Sequence, residues 1–418
     1  MYKVLISAYA CSPNWGSEPG MGWNWVINLA RYCKVHLITN CEFRNEIERT
    51  LFEHELRENI KVYYNDIGER ATRMGQNQGD WRFYFYYRKW QKATLKIAHK
   101  IIATNEIDIV HQLNMIGFRE PGFLWKIADK PFVWGPIGGM VNFPFAYLRN
   151  SNTKVKLFFV LKQLINYFQF NFSPRIKKAI KRADILISAV QNTQLALHKF
   201  HNVDSFLINE TGCNLKKKNI LYSRFNDLSL FNILWVGKFD IRKQLGLALS
   251  TVSKVKDLHG LKFHIIGTGT KKQISYYKKL CLDLELTQHI VWHNKQPNSQ
   301  VQEIMRKSHL FFFSSLFEGT PHVIIEAIQN QLPILCFNIC GHGQCVTESI
   351  GQKIELSVPE QSVNEFAEII RYLYFNRDIL KKQSINCIKR SKQLSWVNKA
   401  ELMISLYDEA IIRFSNNR

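Results

Sequence analysis

Short apolar strands alternate with amphipathic stretches along the first half of the chain, and the alternation starts afresh near Phe231. Lys3 to Ala8, Val35 to Thr39, Lys61 to Asn65, Asp108 to Gln112, Pro131 to Trp134 and Asp184 to Ala189 read as strands, with a helix from Gly20 to Cys33. In the second half, Phe231 to Gly237, Lys262 to Gly267, His289 to His293, Leu310 to Ser314 and Pro333 to Phe337 read as strands separated by helical stretches. Strands that alternate with helices make βαβ units and parallel sheets. Two such runs predict two α/β domains: residues 1–210, a polar linker over 211–228, a second domain over 229–396, and a terminal helix over 397–418 that crosses back to the first domain. The linker carries a run of three lysines, Lys216 to Lys218.

Composition narrows the function classes. With 46% hydrophobic and 22% charged residues among 418, the chain has the make-up of a globular protein. Lys and Arg number 56 against 34 Asp and Glu, a formal net charge of +22 that calls for an anionic partner. No apolar run reaches the roughly 18 residues of a membrane span. The opening Met1 to Cys11 has the length of a minimal signal peptide but reads as a buried first strand. Nine scattered cysteines with no CxxC pair suit a reducing compartment, so a cytoplasmic location is expected.

Open α/β sheets bind ligands beyond the carboxyl ends of their strands, so the turns there are the place to look for chemistry. There is no GxGxxG after the first strand, no GxxxxGK[ST] and no DxD. Dinucleotide oxidoreductases and P-loop NTPases lose support accordingly. Three other segments stand out. In Phe311 to Glu326 a buried strand feeds a turn and then a helix, with Thr320 suited to the N-cap and Pro321 to the first helical position. The N–H groups of His322 and Val323 then form an anion site. Spacing alone leaves Glu318 and Glu326 open between sugar-hydroxyl acceptors and solvated surface carboxylates. In Val236-Gly-Lys-Phe-Asp-Ile-Arg-Lys243, Lys238, Arg242 and Lys243 suit a diphosphate, although a solvated basic turn has the same composition. In Asn14 to Gly22, glycines admit close approach of a ligand or simply form a turn.

In this order the segments resemble the retaining glycosyltransferases of family 4, which have the GT-B fold of two facing Rossmann-like α/β domains with parallel sheets and a deep cleft between them. The likeness spans nearly the whole chain and is strongest from Ile233 to Gly351, through Val236-Gly-Lys, Phe263 to Gly269 and Glu318-Gly-Thr-Pro to Glu326-Ala-Ile. The resemblance implies a nucleotide-sugar donor and a glycan or lipid-linked acceptor in bacterial surface polysaccharide synthesis. Glu318 would hold donor-sugar hydroxyls and Glu326 the ribose. Gly319, Thr320, His322 and Val323 would surround the sugar and diphosphate, Lys243 and Lys238 would face the diphosphate, and Gly16 would contact its phosphate side. Lys238 stands where the family usually has arginine, which removes the bidentate fork and keeps the charge. His111 resembles a histidine near the reacting carbon in relatives, and reads equally as a core histidine. No cofactor or metal is expected.

Further features carry competing readings. Cys336, Cys340, His342 and Cys345 cluster without the spacing of a common zinc site. The stretch Trp81 to Trp90 reads as an acceptor- or membrane-facing helix, or as a buried one. Between Val141 and Phe200 ten Lys and Arg face one acidic residue, Asp184. That segment is expected either to meet an anionic membrane surface, giving a peripheral protein on the inner face of the plasma membrane, or to pack on the first sheet. A GT-B sugar-nucleotide epimerase and a basic nucleic-acid-binding protein are the rival functions. The rival partner, nucleic acid, is not expected.

Overall fold

The computed structural model describes residues 1–68, 82–149, 151–215 and 222–416. Trp81 and Lys216 to Lys218 lie outside the described residues. The chain divides into two compact units, one of Met1–Met140, Lys162–Glu210 and Trp396–Arg418, the other of Val141–Leu161 and Thr211–Ser395.

In the first unit, strands β1 (Lys3–Ala8), β2 (Lys34–Asn40), β3 (Ile60–Asn65), β4 (Ile109–Asn114), β5 (Phe132–Ile137), β6 (Ile185–Ser188) and β7 (Phe206–Leu207) form one sheet in the order β3-β2-β1-β4-β5-β6-β7. All of its paired strands run parallel. β1, β4, β5 and β6 are buried almost along their whole length, as strands covered on both faces must be; β5 and β6 are largely apolar, whereas β4 carries His111, Gln112 and Asn114 into the core. Helix Ser17–Leu29 buries Trp25 against Trp396, whose ring lies 5.6 Å away in an edge contact, and helix Trp396–Asn416 completes this core with Met403 and Tyr407.

The second unit repeats the plan. Strands β8 (Phe231–Lys238), β9 (Leu261–Thr268), β10 (Ile290–Asn294), β11 (Leu310–Phe313), β12 (Ile334–Phe337) and β13 (Gly351–Ile354) form a parallel sheet in the order β10-β9-β8-β11-β12-β13. The winding reverses between β8 and β11, and in the first unit between β1 and β4. Those reversals part the loops at the carboxyl ends of the strands and open a ligand crevice there.

Residues 141–161 differ from the sequence expectation of a first domain running unbroken to residue 210. Phe143, Tyr147, Leu148 and Phe159 are buried in the core of the second unit. There Tyr147 packs edge-on to Phe337 at 5.8 Å and its hydroxyl lies 2.7 Å from that of Ser362. Burial of four large apolar side chains outweighs sequence proximity in deciding which unit a segment joins.

The aromatic stretch of helix Arg82–Thr104 also departs from its outward-facing reading. Phe83, Tyr86, Tyr87 and Trp90 are buried, and each makes an edge contact with Tyr9 at 5.0–6.2 Å. Tyr84 and Phe85 remain exposed. This face is core, held by the edge-to-face geometry that aromatic quadrupoles favour.

Candidate active site

The second unit gathers its predicted site residues at the carboxyl ends of β8 and β11. Gly237 ends the straight part of β8, and a Cβ there would come within 3.4 Å of the Lys243 side chain, so the Lys243 stem runs alongside it. Gly267, its register partner on β9, is sterically required: a Cβ would meet the Gly237 carbonyl oxygen at 1.8 Å. Hydrogen bonds to backbone carbonyls tie the lysine loop to the loop after β11. Leu316 N–H donates to the Arg242 carbonyl at 2.9 Å, and the Ser314 hydroxyl donates to the Lys243 carbonyl at 2.8 Å.

This lacing brings Lys243 and Glu318 together. Their Nζ and Oε1 atoms are 2.6 Å apart, and both side chains are about 15% exposed or less (14% and 15%). The ammonium sits 4.9 Å over the Phe313 ring, and the Ser315 hydroxyl donates to Glu318 at 2.8 Å. Charge-assisted hydrogen bonds in such a screened position are stronger and better aligned than surface ion pairs. Ser315 escapes a search for charged residues; the Ser-x-x-Glu spacing across this turn was its signal. The other two cations of the loop differ in state. Arg242 pairs with Asp240 at 2.6 Å, whereas Lys238 is exposed and forms no ion pair among the described residues.

In the turn after Glu318, Gly319 is exposed while Thr320 and Pro321 are buried. Gly341 N–H donates to the Gly319 carbonyl at 3.0 Å, and a Cβ on Gly341 would strike the Thr320 hydroxyl at 2.4 Å. The helix then begins at His322, with Pro321 as its N-cap at φ −66° and ψ 126°. That is one residue later than Thr320 as cap would give, because Thr320 is buried against the Gly341 backbone. His322 and Val323 open helix His322–Gln329, so their N–H groups have no intrahelical acceptor. Burial lowers the His322 pKa, and its Nδ1 lies 3.2 Å from the Thr211 hydroxyl. Glu326 sits one turn further on and accepts from the Asn298 amide at 2.8 Å.

Gly16 and His111 belong to the first unit. Gly16 is the N-cap of helix Ser17–Leu29, and a Cβ there would meet nothing within 4 Å. Close packing instead requires Gly20 and Gly22, whose added Cβ atoms would strike the carbonyl oxygens of Trp15 and Ala10 at 2.2 Å.

His111 lies on β4, in the core of the first unit. Its ring is fully buried, Nδ1 lies 2.8 Å from the Tyr407 hydroxyl, and Nε2 lies 2.8 Å from the Gly135 carbonyl. Burial pushes its pKa down to about 4. An imidazole with both nitrogens engaged has neither a proton nor a lone pair to offer a substrate, so it is a satisfied core histidine.

The Cys336, Cys340, His342 and Cys345 cluster is also core. All nine cysteines are free thiols, and the described residues contain no group of three His, Cys, Asp or Glu side chains able to hold a metal ion. His342 is fully buried, neither ring nitrogen has a hydrogen-bond partner among the described residues, and it packs edge-on to Phe313 at 5.1 Å. Burial, reinforced by the Lys243 charge, pushes its pKa down to about 3.

One carboxyl that sequence reading passed over is Glu18, in the first turn of helix Ser17–Leu29. It accepts from the Ile116 N–H at 2.8 Å, and burial with a contribution from Glu210 raises its pKa to about 7. A raised carboxyl pKa penalises the folded state once the group ionises, so stability falls as pH rises from about 4.5 to about 7. Glu18→Gln is therefore expected to stabilise the fold by about 3 kcal/mol at pH 8, raising the melting temperature by about 6–12 °C, and to leave it unchanged at pH 4.5. Equal shifts at the two pH values would rule out this source.

With this geometry established, known proteins supply the frame. Residues 225–393 match the family described as glycosyl transferases group 1. The match lies within the second unit and covers 169 of the 418 residues. The amylovoran biosynthesis glycosyltransferase AmsD of Erwinia amylovora is 30% identical over 119 residues, 28% of this chain and 32% of AmsD. The aligned part thus spans about a third of that relative. A glycosyltransferase structure from Rickettsia africae superposes with a TM-score of 0.63 at 16% identity, covering 98% of both chains. Anabaena HepE, solved in complex with UDP, superposes with a TM-score of 0.61 at 13% identity over 98% of this chain and 100% of its own. The two Rossmann-like units therefore make up a GT-B fold.

Proposed function

We infer that the chain is a retaining glycosyltransferase that moves a sugar from a nucleotide-sugar donor to a glycan or lipid-linked acceptor. Its proposed setting is bacterial surface polysaccharide synthesis, on the cytoplasmic face of the plasma membrane. The observation that carries this reading is the Lys243–Glu318 pair, held at 2.6 Å beside the start of helix His322–Gln329. The glycosyltransferase domain over residues 225–393, the polysaccharide role in the name of AmsD and the UDP bound to HepE support it.

Cleaving a glycosyl–phosphate bond builds positive charge on the sugar ring and negative charge on the leaving diphosphate. Lys243, the exposed Lys238 and the N–H groups of His322 and Val323 supply positive charge and donors for the leaving group without a metal ion. Glu318 accepts from donor-sugar hydroxyls and Glu326 from the ribose, so both carboxylates position the donor. Retention follows if the acceptor hydroxyl attacks from the face that the diphosphate leaves, with a phosphate oxygen taking its proton. The acceptor is expected on the first unit.

Nucleoside diphosphates are expected to raise the melting temperature of the chain, because a ligand bound only to the native state stabilises it by mass action. Glu326→Ala should weaken this shift while leaving the unliganded melting temperature within about 1 °C. If no nucleoside diphosphate or nucleotide sugar shifts the transition, the donor reading is wrong.

A further inference from the structure

Trp15 is more than half open to solvent, at 57% exposure, yet its ring is fixed in place. The indole Nε1–H donates to Glu46 Oε1 at 3.0 Å, and the ring packs edge-on to the buried Phe43 at 6.0 Å. Glu46 is held in turn by the Ser12 hydroxyl, and the Asn14 N–H donates to that hydroxyl at 3.3 Å. The ring thus stands between the loop after β1, which carries it, and helix Arg44–Phe52, which follows β2 and carries Glu46. β1 and β2 run parallel, so this is the carboxyl edge of the first sheet, beside the reversal between β1 and β4. Water would satisfy the N–H of an ordinary surface tryptophan. Ordering the ring through a carboxylate and a serine costs side-chain freedom while leaving most of the ring outside the core. Rigid aromatic rings presented in this way supply contact area to a ligand at little further entropic cost.

The surroundings of the ring select the ligand. The loop is open and polar: Asn14, Gly16 and Ser17 are exposed, and a Cβ on Gly16 would meet nothing within 4 Å. Its backbone is strained at Ser17, whose φ of 56° lies in the left-handed region, and such residues collect at ligand clamps. The place is also acidic within a chain of net charge +22. Glu46 touches the indole, Glu42 precedes Phe43, and Arg44 is drawn away over the Tyr64 ring at 4.5 Å. A phosphate here would meet the carboxylate that holds the indole nitrogen, which disfavours a nucleotide, a nucleic-acid strand or a lipid headgroup. A neutral pyranose meets no such repulsion. One face of its ring is a patch of C–H groups that packs on an aromatic face, and its hydroxyls suit Asn14, Ser17 and carboxylate oxygens.

We propose that Trp15 is a stacking platform for a pyranose ring, and that the sugar it holds belongs to the acceptor. The assignment to the acceptor rests on the glycosyltransferase reading; the binding of a sugar at Trp15 does not. It narrows the acceptor to a molecule whose reacting end is a sugar, not a bare lipid phosphate. Glu46 is a positioning residue that sets the plane of the indole.

The test is fluorine NMR of the full chain labelled with 5-fluorotryptophan, with the Trp15 resonance assigned from Trp15→Phe. The probes are methyl β-glucopyranoside, methyl β-galactopyranoside and methyl α-mannopyranoside. At least one is expected to shift that resonance, with a dissociation constant on the order of 1 mM. Trp15→Ala should weaken binding of the same glycoside by about tenfold or more, read by saturation-transfer NMR. Glu46→Leu should weaken it by about threefold, and Glu46→Gln, which keeps an acceptor for the indole N–H, should restore it. Equal losses in the two Glu46 variants would remove the positioning role. If none of the three glycosides moves the Trp15 resonance, the proposal is overturned. A larger response to an oligodeoxythymidylate overturns it too, since the ring would then be a platform for bases. The thermal shift with UDP is measured on the same samples. A UDP shift without a glycoside response defeats the platform and leaves the donor reading standing, and a glycoside response without a UDP shift does the reverse.

Discussion

Lys243→Met is expected to weaken binding of a nucleoside diphosphate by about 100-fold, close to 2.7 kcal/mol, measured by titration calorimetry. The lysine is 14% exposed, its stem lies against Gly237, and its ammonium sits between Glu318 and the face of Phe313. Methionine fills the same volume but leaves Glu318 with the Ser315 hydroxyl and, for counter-charge, only Arg242, which is already paired with Asp240. Two effects then add. The diphosphate loses a cation, and the poorly compensated carboxylate repels it. Glu318→Gln separates them: it frees the ammonium for phosphate, so diphosphate binding should hold or tighten while affinity for the intact nucleotide sugar falls. Lys243→Arg should not rescue, because a planar fork does not reproduce the compact ammonium seated between Glu318 and the Phe313 ring. A loss of less than threefold in Lys243→Met would remove Lys243 from the diphosphate site.

The parallel arrangement was legible because buried parallel strands are apolar along their length. β1 falls at Lys3–Ala8 and β8 ends one residue beyond the predicted Gly237. β7 and β13 were missed: Phe206–Leu207 is two residues long, and Gly351–Ile354 is short, polar and half-exposed. An edge strand with so little apolar signal is indistinguishable from a loop. The cluster around Glu318 was readable for the same reason as the core, since its residues sit at fixed short distances from strand ends.

Where the sequence left two readings open, the deciding contact came from far along the chain. His111 follows a strand pattern that ends near a ligand crevice, but its role is set by Tyr407, 296 residues away. The helix Thr153–Phe172 shows apolar richness in sequence, yet richness does not say which half of the helix is covered. Only Phe159, Asn166 and Phe170 turn inward, and that choice depends on distant neighbours such as Phe118, 5.2 Å from Phe170.

Mild acid is expected to unfold the second unit before the first. His309 and His342 are buried in the second unit and His111 in the first, with pKa values pushed down to about 4, about 3 and about 4. In the unfolded chain each ring takes a proton near pH 6.5; in the folded chain it does not until pH 4 or below. The unfolded state therefore binds more protons across that window, and stability falls as pH drops from 6.5 to 4. Each ring contributes about 3 kcal/mol, and His264, half-buried in the same unit and also pushed down to about 4, adds to them, so the second unit loses roughly 6 kcal/mol or more, a large fraction of the 5–15 kcal/mol that holds a domain together. The first unit loses less, since Glu18 works in the opposite sense and stabilises it as it protonates below pH 7. Calorimetry at pH 5 should therefore resolve two transitions, with the lower one moving to higher temperature as pH is raised to 7. His342→Leu removes a buried ring with two unpartnered nitrogens as well as its titration. It should raise the lower transition at both pH values, by about 1 kcal/mol at pH 7.5 and about 3 kcal/mol at pH 5. A gain that is the same at both would show that His342 is already protonated in the folded chain.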